Sequence, residues 1–134
     1  MVMWIYQETE FTEDQIDKNI GFVYLITNNK NNKKYIGKKL FWFSKTKTVK
    51  GKKKKEKVQS DWKEYWSSSD DLKNDVKELG EENFTREILY LCSNKGTMSY
   101  IEAREQFANR VLENPNEWYN GIINCKIHRS HVKL

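Results

Sequence analysis

A carboxylate on the apolar side of a helix is the first residue here whose placement asks for chemistry. Residues 97–112, TMSYIEAREQFANRVL, read as a helix opened by Thr97 or Ser99 and ended by Asn114, Pro115 and Asn116. At ~100° per residue, Met98, Ile101, Ala108 and Leu112 share one face, and Glu105 falls inside it. A buried carboxylate must be paired, protonated or bound to a cation, because an isolated buried charge is very costly. Two outcomes stay open: an ion pair with a strand cation such as Arg86, or a catalytic or metal-binding role facing a groove. Glu102, at the edge of the stripe, is the alternative carboxylate for that role.

The second chemical feature is charge. Residues 28–57 hold thirteen lysines and one acid, Glu56, a net +12. The whole chain is only +5, so the remainder carries −7. A field this one-sided draws a polyanion to one place. Tyr35, Phe41, Trp42 and Phe43 are interleaved with these lysines. Cations neutralise phosphates while rings stack or pack, so the mixture suits a nucleic acid better than a plain solvated loop. Charge alone leaves DNA, RNA and an anionic membrane surface open.

Weaker constellations complete the search. Cys125, His128 and His131 offer three zinc ligands, but C-x2-H-x2-H is tighter than finger spacing. No phosphate-cradling glycine loop and no nucleophile elbow occur. Cys92 sits in a strand pattern and reads as core. Trp62 and Trp66, four apart, read as packing.

At 134 residues the chain is one domain's worth, large enough for a modest core. Two cysteines cannot form a disulfide scaffold. The mean hydropathy of −0.91 is low. Eighteen aromatic residues nevertheless argue against disorder. No apolar run approaches the ~20 residues of a membrane span, and MVMWIYQETE lacks the basic flank and apolar stretch of a secretory leader. The expectation is a cytoplasmic protein with no membrane partner.

The elements that must position these residues follow from pattern. FVYLIT, residues 22–27, and KYIGKK, residues 34–39, flank a polar NNKNNK segment and read as an antiparallel hairpin. Ser60 or Asp61 opens a short helix through Trp66. Ser69 or Asp70 opens another, with Leu72, Val76 and Leu79 on one face and Gly80 as its stop. FTREILYLC, residues 84–92, is a third strand. The expected fold is α+β: a three-stranded antiparallel sheet flanked by helices. Residues 1–20 read as an N-terminal arm, 21–125 as the domain, 45–57 as a basic loop inside it, and 126–134 as a basic tail.

In combination these pieces resemble the GIY-YIG nucleases. Phe22-Val23-Tyr24 stands for the Gly-Ile-Tyr triplet, and Tyr35-Ile36-Gly37 is intact, with the tyrosines eleven residues apart. The third strand, the helix with Arg104-Glu105-Gln106-Phe107, and Tyr119-Asn120 follow in the family's order. Phage Seg-type homing endonucleases are the nearest resemblance. It implies a metal-dependent DNA endonuclease, or else a catalytically impaired relative that binds nucleic acid.

Hydrolysis of a phosphodiester needs a nucleophilic water, charge relief on the phosphate and help for the leaving oxygen. The resemblance implies Tyr24 as general base, Tyr35 as a hydrogen-bonding partner of water or phosphate, and Glu105 as ligand of one Mg²⁺ or Mn²⁺. Asn120 would hold the network or the phosphate, with Asn124 as second candidate. The family's arginine, some eight residues past the glycine, lands on Lys45. Lysine keeps the charge without the bidentate fork. A tyrosine is a poor base at its ordinary pKa of about 10, and nearby lysine or metal charge is expected to lower it. Lys38, Lys39, Lys50, Lys52, Lys53, Lys54 and Lys55 are expected to hold the backbone of double-stranded DNA.

Overall fold

A computed structural model describes residues 2–134. Its centre is the expected hairpin. Strand β3 (Gly21–Asn28) pairs antiparallel with β4 (Lys34–Leu40), with Tyr24 opposite Gly37. The expected third strand is present, and two short strands not expected from the sequence extend the sheet beyond it. β1 (Trp4–Tyr6) and β2 (Thr9–Glu10) form one edge. β7 (Phe84–Cys92) pairs antiparallel with β3 and parallel with β1. The order is β2-β1-β7-β3-β4, a mixed five-stranded sheet rather than a three-stranded antiparallel one. Trp4 explains the addition. Its ring is 1% exposed and packs edge-on against Phe22 and Tyr24, and its indole N–H donates to the carbonyl of Trp62 at 2.7 Å. One large buried aromatic anchors a strand too short to show a period.

Alternation along β3 divides the core. Phe22, Tyr24 and Ile26 face one layer with Phe41, Trp62, Leu72, Val76 and Phe84. That layer lies under helix α1 (Asp70–Leu79), whose N-cap Ser69 accepts from the Leu72 amide and whose C-cap is Gly80 at φ 92°. Val23 and Ile36 face the other layer with Cys92, Met98, Ile101 and Val111, under helix α2 (Lys95–Ala108). The expected helix over residues 60–66 is only a single 3-10 turn at Trp62–Glu64. Its tryptophan is buried by tertiary packing and has no helical stripe to join.

The lysine-rich segment is a hairpin of its own and not a loop. Strands β5 (Trp42–Val49) and β6 (Lys52–Gln59) pair antiparallel throughout and join no other strand among the described residues. The turn explains it: Lys50 and Gly51 both have positive φ, 51° and 76°, as a two-residue hairpin turn requires. Alternating Thr46 and Thr48, with Val49 beside them, supply β propensity that the lysine run conceals.

Candidate active site

β4 is the free edge of the sheet, and the polar residues gather there. Tyr24, Tyr35, Lys38, Tyr65, Ser68, Glu102, Gln106, Ile122 and Asn124 line one cleft of about 210 Å³. Tyr24 belongs to the α1 layer and Glu102 to α2, so the two meet only beyond the sheet edge.

Gly37 makes that meeting possible. A Cβ there would fall 2.6 Å from Tyr24 Cζ and 2.8 Å from Tyr35 Cε1. The Tyr24 ring therefore lies across the glycine, stacked on Tyr35 at 6.1 Å between centroids. Tyr65 meets Tyr24 edge-on, also at 6.1 Å. The Tyr35 hydroxyl shares a hydrogen bond with Ser68 Oγ at 3.1 Å.

The edge strand is held by the chain beyond α2. The Ile36 amide donates to Asn120 Oδ1 at 3.0 Å, and Asn120 Nδ2 donates back to the Ile36 carbonyl at 2.8 Å. Gln106 Nε2 donates to the same carbonyl at 2.9 Å. Lys34 exchanges backbone bonds with Glu117 and Tyr119. The Asn120 side chain thus replaces a missing neighbouring strand. It is 6% exposed and lies behind the cleft, whereas Asn124 lines the cleft itself.

The carboxylate facing the cleft is Glu102, the stripe-edge alternative. Helix α2 ends at Ala108, so Ala108 and Leu112 are exposed and do not define the covered face. That face runs through Met98, Ile101 and Gln106, which turns Glu102 inward. Glu105 instead pairs with Arg104 at 3.4 Å and lines no part of the cleft. Arg86, on the opposite layer, is clamped between the rings of Trp4 and Trp66 and donates to the Tyr65 and Val2 carbonyls. It cannot reach Glu105.

The cation of the cleft is Lys38. Its Nζ donates to Ser99 Oγ at 2.8 Å and lies 3.8 Å from Glu102 Oε1. Lys45 is far along the β5–β6 ribbon, exposed and opposite Glu56. Lys39 pairs with Asp61 at 2.6 Å and lies 4.0 Å over the Tyr65 ring. Lys50 and Lys52, Lys53, Lys54 and Lys55 are all exposed on the ribbon. Tyr65 and Ser68 carried no sequence signal, since one 3-10 turn and a serine run have no period. Lys38 was legible as the residue directly after Gly37.

Burial sets the protonation of the site. It pushes the Tyr24 hydroxyl well above 10, and the neighbouring Tyr35 and Tyr65 add to this. Nearby lysine does not reverse it, contrary to the expectation of a lowered value, because the ring is fully enclosed. Tyr65 is likewise raised by burial, with the hydroxyl interaction with Tyr24 opposing. Tyr35 is raised by burial, with Ser68 opposing. Glu102 is raised by burial, with Lys38 opposing.

The family model described as "Putative endonuclease segE, GIY-YIG domain" matches residues 4–123. The chain belongs to the GIY-YIG nuclease family. Searches of curated proteins and of solved structures gave no match. GIY-YIG nucleases are generally metal-dependent. Here no cluster of three or more His, Cys, Asp or Glu occurs among the described residues, the Cys125-His128-His131 trio included. An all-protein metal cage is therefore absent there. A single partly buried carboxylate beside hydroxyl and amide groups does fit a hydrated divalent ion, which keeps most of its waters and takes phosphate oxygens. No helix among the described residues is long and apolar enough to cross a membrane.

Proposed function

We propose that this GIY-YIG protein is a metal-dependent endonuclease that hydrolyses phosphodiester bonds of double-stranded DNA. The observation that carries the reading is the convergence of Tyr24, Tyr35, Lys38 and Glu102 in one polar cleft at the free edge of β4. Glu102, rather than Glu105, would hold the divalent ion, Mg²⁺ by its preference for few carboxylates and many oxygens. The ion, when bound, supplies charge relief on the phosphate.

The chain's own residues do the rest. Lys38, fixed by Ser99 and Glu102, takes the phosphate-neutralising role the resemblance gave to Lys45. Tyr24 holds its proton tightly, so it acts as a relay and not as a free phenolate. It accepts a proton from the attacking water while passing its own to Tyr65, which is nearer solvent and gives up its own hydroxyl proton to solvent in the same relay. Tyr35, pinned by Ser68, orients the water or phosphate. Asn124 contacts the phosphate from the cleft wall, and Asn120 positions the edge strand. The ribbon lysines hold the DNA backbone, with a homing role as the Seg-type likeness suggests.

A second reading is binding without cutting. It is favoured by the absence of any arginine among the cleft's lining residues. The test is Mg²⁺-dependent nicking of a supercoiled plasmid by wild type, Glu102→Gln and Glu105→Gln. Cutting is expected to fall by ~10²–10³ in Glu102→Gln, the scale of removing one transition-state charge contact, and to persist in Glu105→Gln. Equal cutting by Glu102→Gln overturns the metal assignment. Binding by wild type with no cutting selects the second reading.

A further inference from the structure

The β5–β6 ribbon carries more than bulk charge. Cross-strand register sorts its residues onto two faces. On one, Ser44, Thr46 and Thr48 stand opposite Lys57, Lys55 and Lys53. On the other, Phe43 opposes Val58, Lys45 opposes Glu56, Lys47 opposes Lys54 and Val49 opposes Lys52. Beyond Trp42 and Gln59 at its base, the first face is made of lysine donors opposed by hydroxyls, with no carboxylate. The second is broken by apolar ends and by the Lys45–Glu56 pair. At its base Phe43 is held under Lys39 Nζ at 5.1 Å.

We propose that the ribbon enters the major groove of duplex DNA with its Ser44/Thr46/Thr48–Lys53/Lys55/Lys57 face toward the base edges. The second face's lysines then reach the flanking phosphates. This rests on the nuclease reading for its choice of DNA as partner.

Dimensions and chemistry agree. The major groove is ~12 Å wide and admits a two-stranded ribbon, whose strands lie ~4.8 Å apart. Lys53, Lys55 and Lys57 repeat every ~6.8 Å along one strand, so the row spans ~14 Å, or about five base pairs. The lysine ammoniums, which donate and cannot accept, match guanine, whose groove edge offers two acceptors, N7 and O6. Directly opposed lysines such as Lys47 and Lys54 destabilise a free ribbon, and phosphates on either side relieve that repulsion. All six groove-facing residues are exposed. The ribbon continues directly from β4, so its seating fixes which phosphate reaches Tyr35 and Lys38.

The test separates binding from cutting by using the full chain with Glu102→Gln on a random-sequence duplex pool. Selected duplexes are expected to carry a guanine-rich run of about five base pairs. Adding Ser44→Ala, Thr46→Val and Thr48→Val changes no charge and keeps strand propensity. It should cut the preference for selected over scrambled duplex ~10-fold or more, with the salt dependence unchanged. Lys45→Gln, Lys47→Gln and Lys54→Gln should instead weaken all duplexes alike and flatten the log–log salt slope by about 2–3. Circular dichroism and amide exchange confirm that each ribbon is formed, and Lys53→Gln with Lys55→Gln gives a second probe of the same face. Undiminished preference in the hydroxyl variant, or no preference in the parent, overturns the ribbon assignment while plasmid cutting by wild type leaves the nuclease reading intact. Selective binding by a chain that never cuts leaves the ribbon assignment and removes the nuclease reading. No duplex binding overturns both.

Discussion

Replacing Gly37 by alanine tests whether the crossing of Tyr24 over the edge strand builds the cleft. The added methyl would sit 2.6 Å from Tyr24 Cζ and 2.8 Å from Tyr35 Cε1, nearer still to the Tyr24 hydroxyl. Carbon contacts are comfortable at about 3.5–4.0 Å, so the two rings must retreat by roughly 1 Å. Tyr24 cannot retreat freely, because Trp4, Phe22 and Tyr65 pack around its ring. Overpacking of this kind costs about 1–3 kcal/mol, or a fall in Tm of several degrees in a domain of this size. A displacement of ~1 Å at a reacting group costs ~10² in rate. Gly37→Ala is therefore expected to unfold several degrees early and to cut plasmid about a hundredfold more slowly.

A double variant separates strain from chemistry. The atom nearest the new methyl is the Tyr24 hydroxyl oxygen. Removing it with Tyr24→Phe should restore much of the lost Tm in the Gly37→Ala background, a coupling expected for residues in contact. Cutting should not return, because the proposed relay needs that hydroxyl. Wild-type stability and rate in Gly37→Ala would falsify the crossing as the device that assembles the site. Independent losses with no coupling to Tyr24→Phe would place the strain elsewhere.

Other residues make separable predictions. Glu102 has a folded pKa above its unfolded one, so its share of stability is complete below the ordinary carboxylate range and is lost as pH rises through the raised value. Glu102→Gln should accordingly be more stable than wild type at neutral pH in thermal melts, with the gain shrinking below about pH 4; a gain that grows with acid would reverse the sign. Asn120→Ala leaves the Ile36 amide buried without a partner, at a cost of about 2 kcal/mol, so Tm should drop by about 6–10 °C while Asn124→Ala leaves it unchanged. Arg86→Lys keeps the charge but loses the stacking plane between Trp4 and Trp66, and an undiminished Tm would show that the clamp contributes little.

What the sequence revealed and what it concealed divide along physical lines. β3 and β7 were legible because each buries an alternating or continuous apolar set, β4 because Tyr35-Ile36-Gly37 follows a polar turn segment, and α1 because Ser69 and Gly80 punctuate it. β1 was not, since three residues have no period and Trp4 is fixed only by tertiary packing. The ribbon was hidden by composition: lysine disfavours strands, yet the Lys50–Gly51 turn and the alternating threonines dominate. The carboxylate of the cleft lies one helical turn before Glu105. A helix running to residue 112 would cover Ala108 and Leu112, and the end of α2 at residue 108 moves the buried face toward Glu102.

Lopsided charge acquires a geometry once these elements are placed. Residues 61–82, directly after the ribbon, hold eight acids and three lysines, a net −5. They form the turn at Trp62–Glu64 and helix α1, which covers the sheet face opposite α2. Asp61 is drawn to Lys39 at 2.6 Å, and Lys63 pairs with Glu13. The basic ribbon and this acidic segment thus lie on separate elements, so the chain carries a charge asymmetry as well as a net charge. A polyanion in such a field is pulled to the ribbon and repelled by the α1 side. A polyanion is thereby oriented before any base is read, and the ribbon it meets follows directly on β4, the strand that carries Tyr35 and Lys38. Moving charge from ribbon to α1 at constant net charge, with Lys53→Gln and Lys55→Gln against Asp70→Lys, should therefore slow association at low salt. Unchanged association rates would mean that net charge alone steers the encounter.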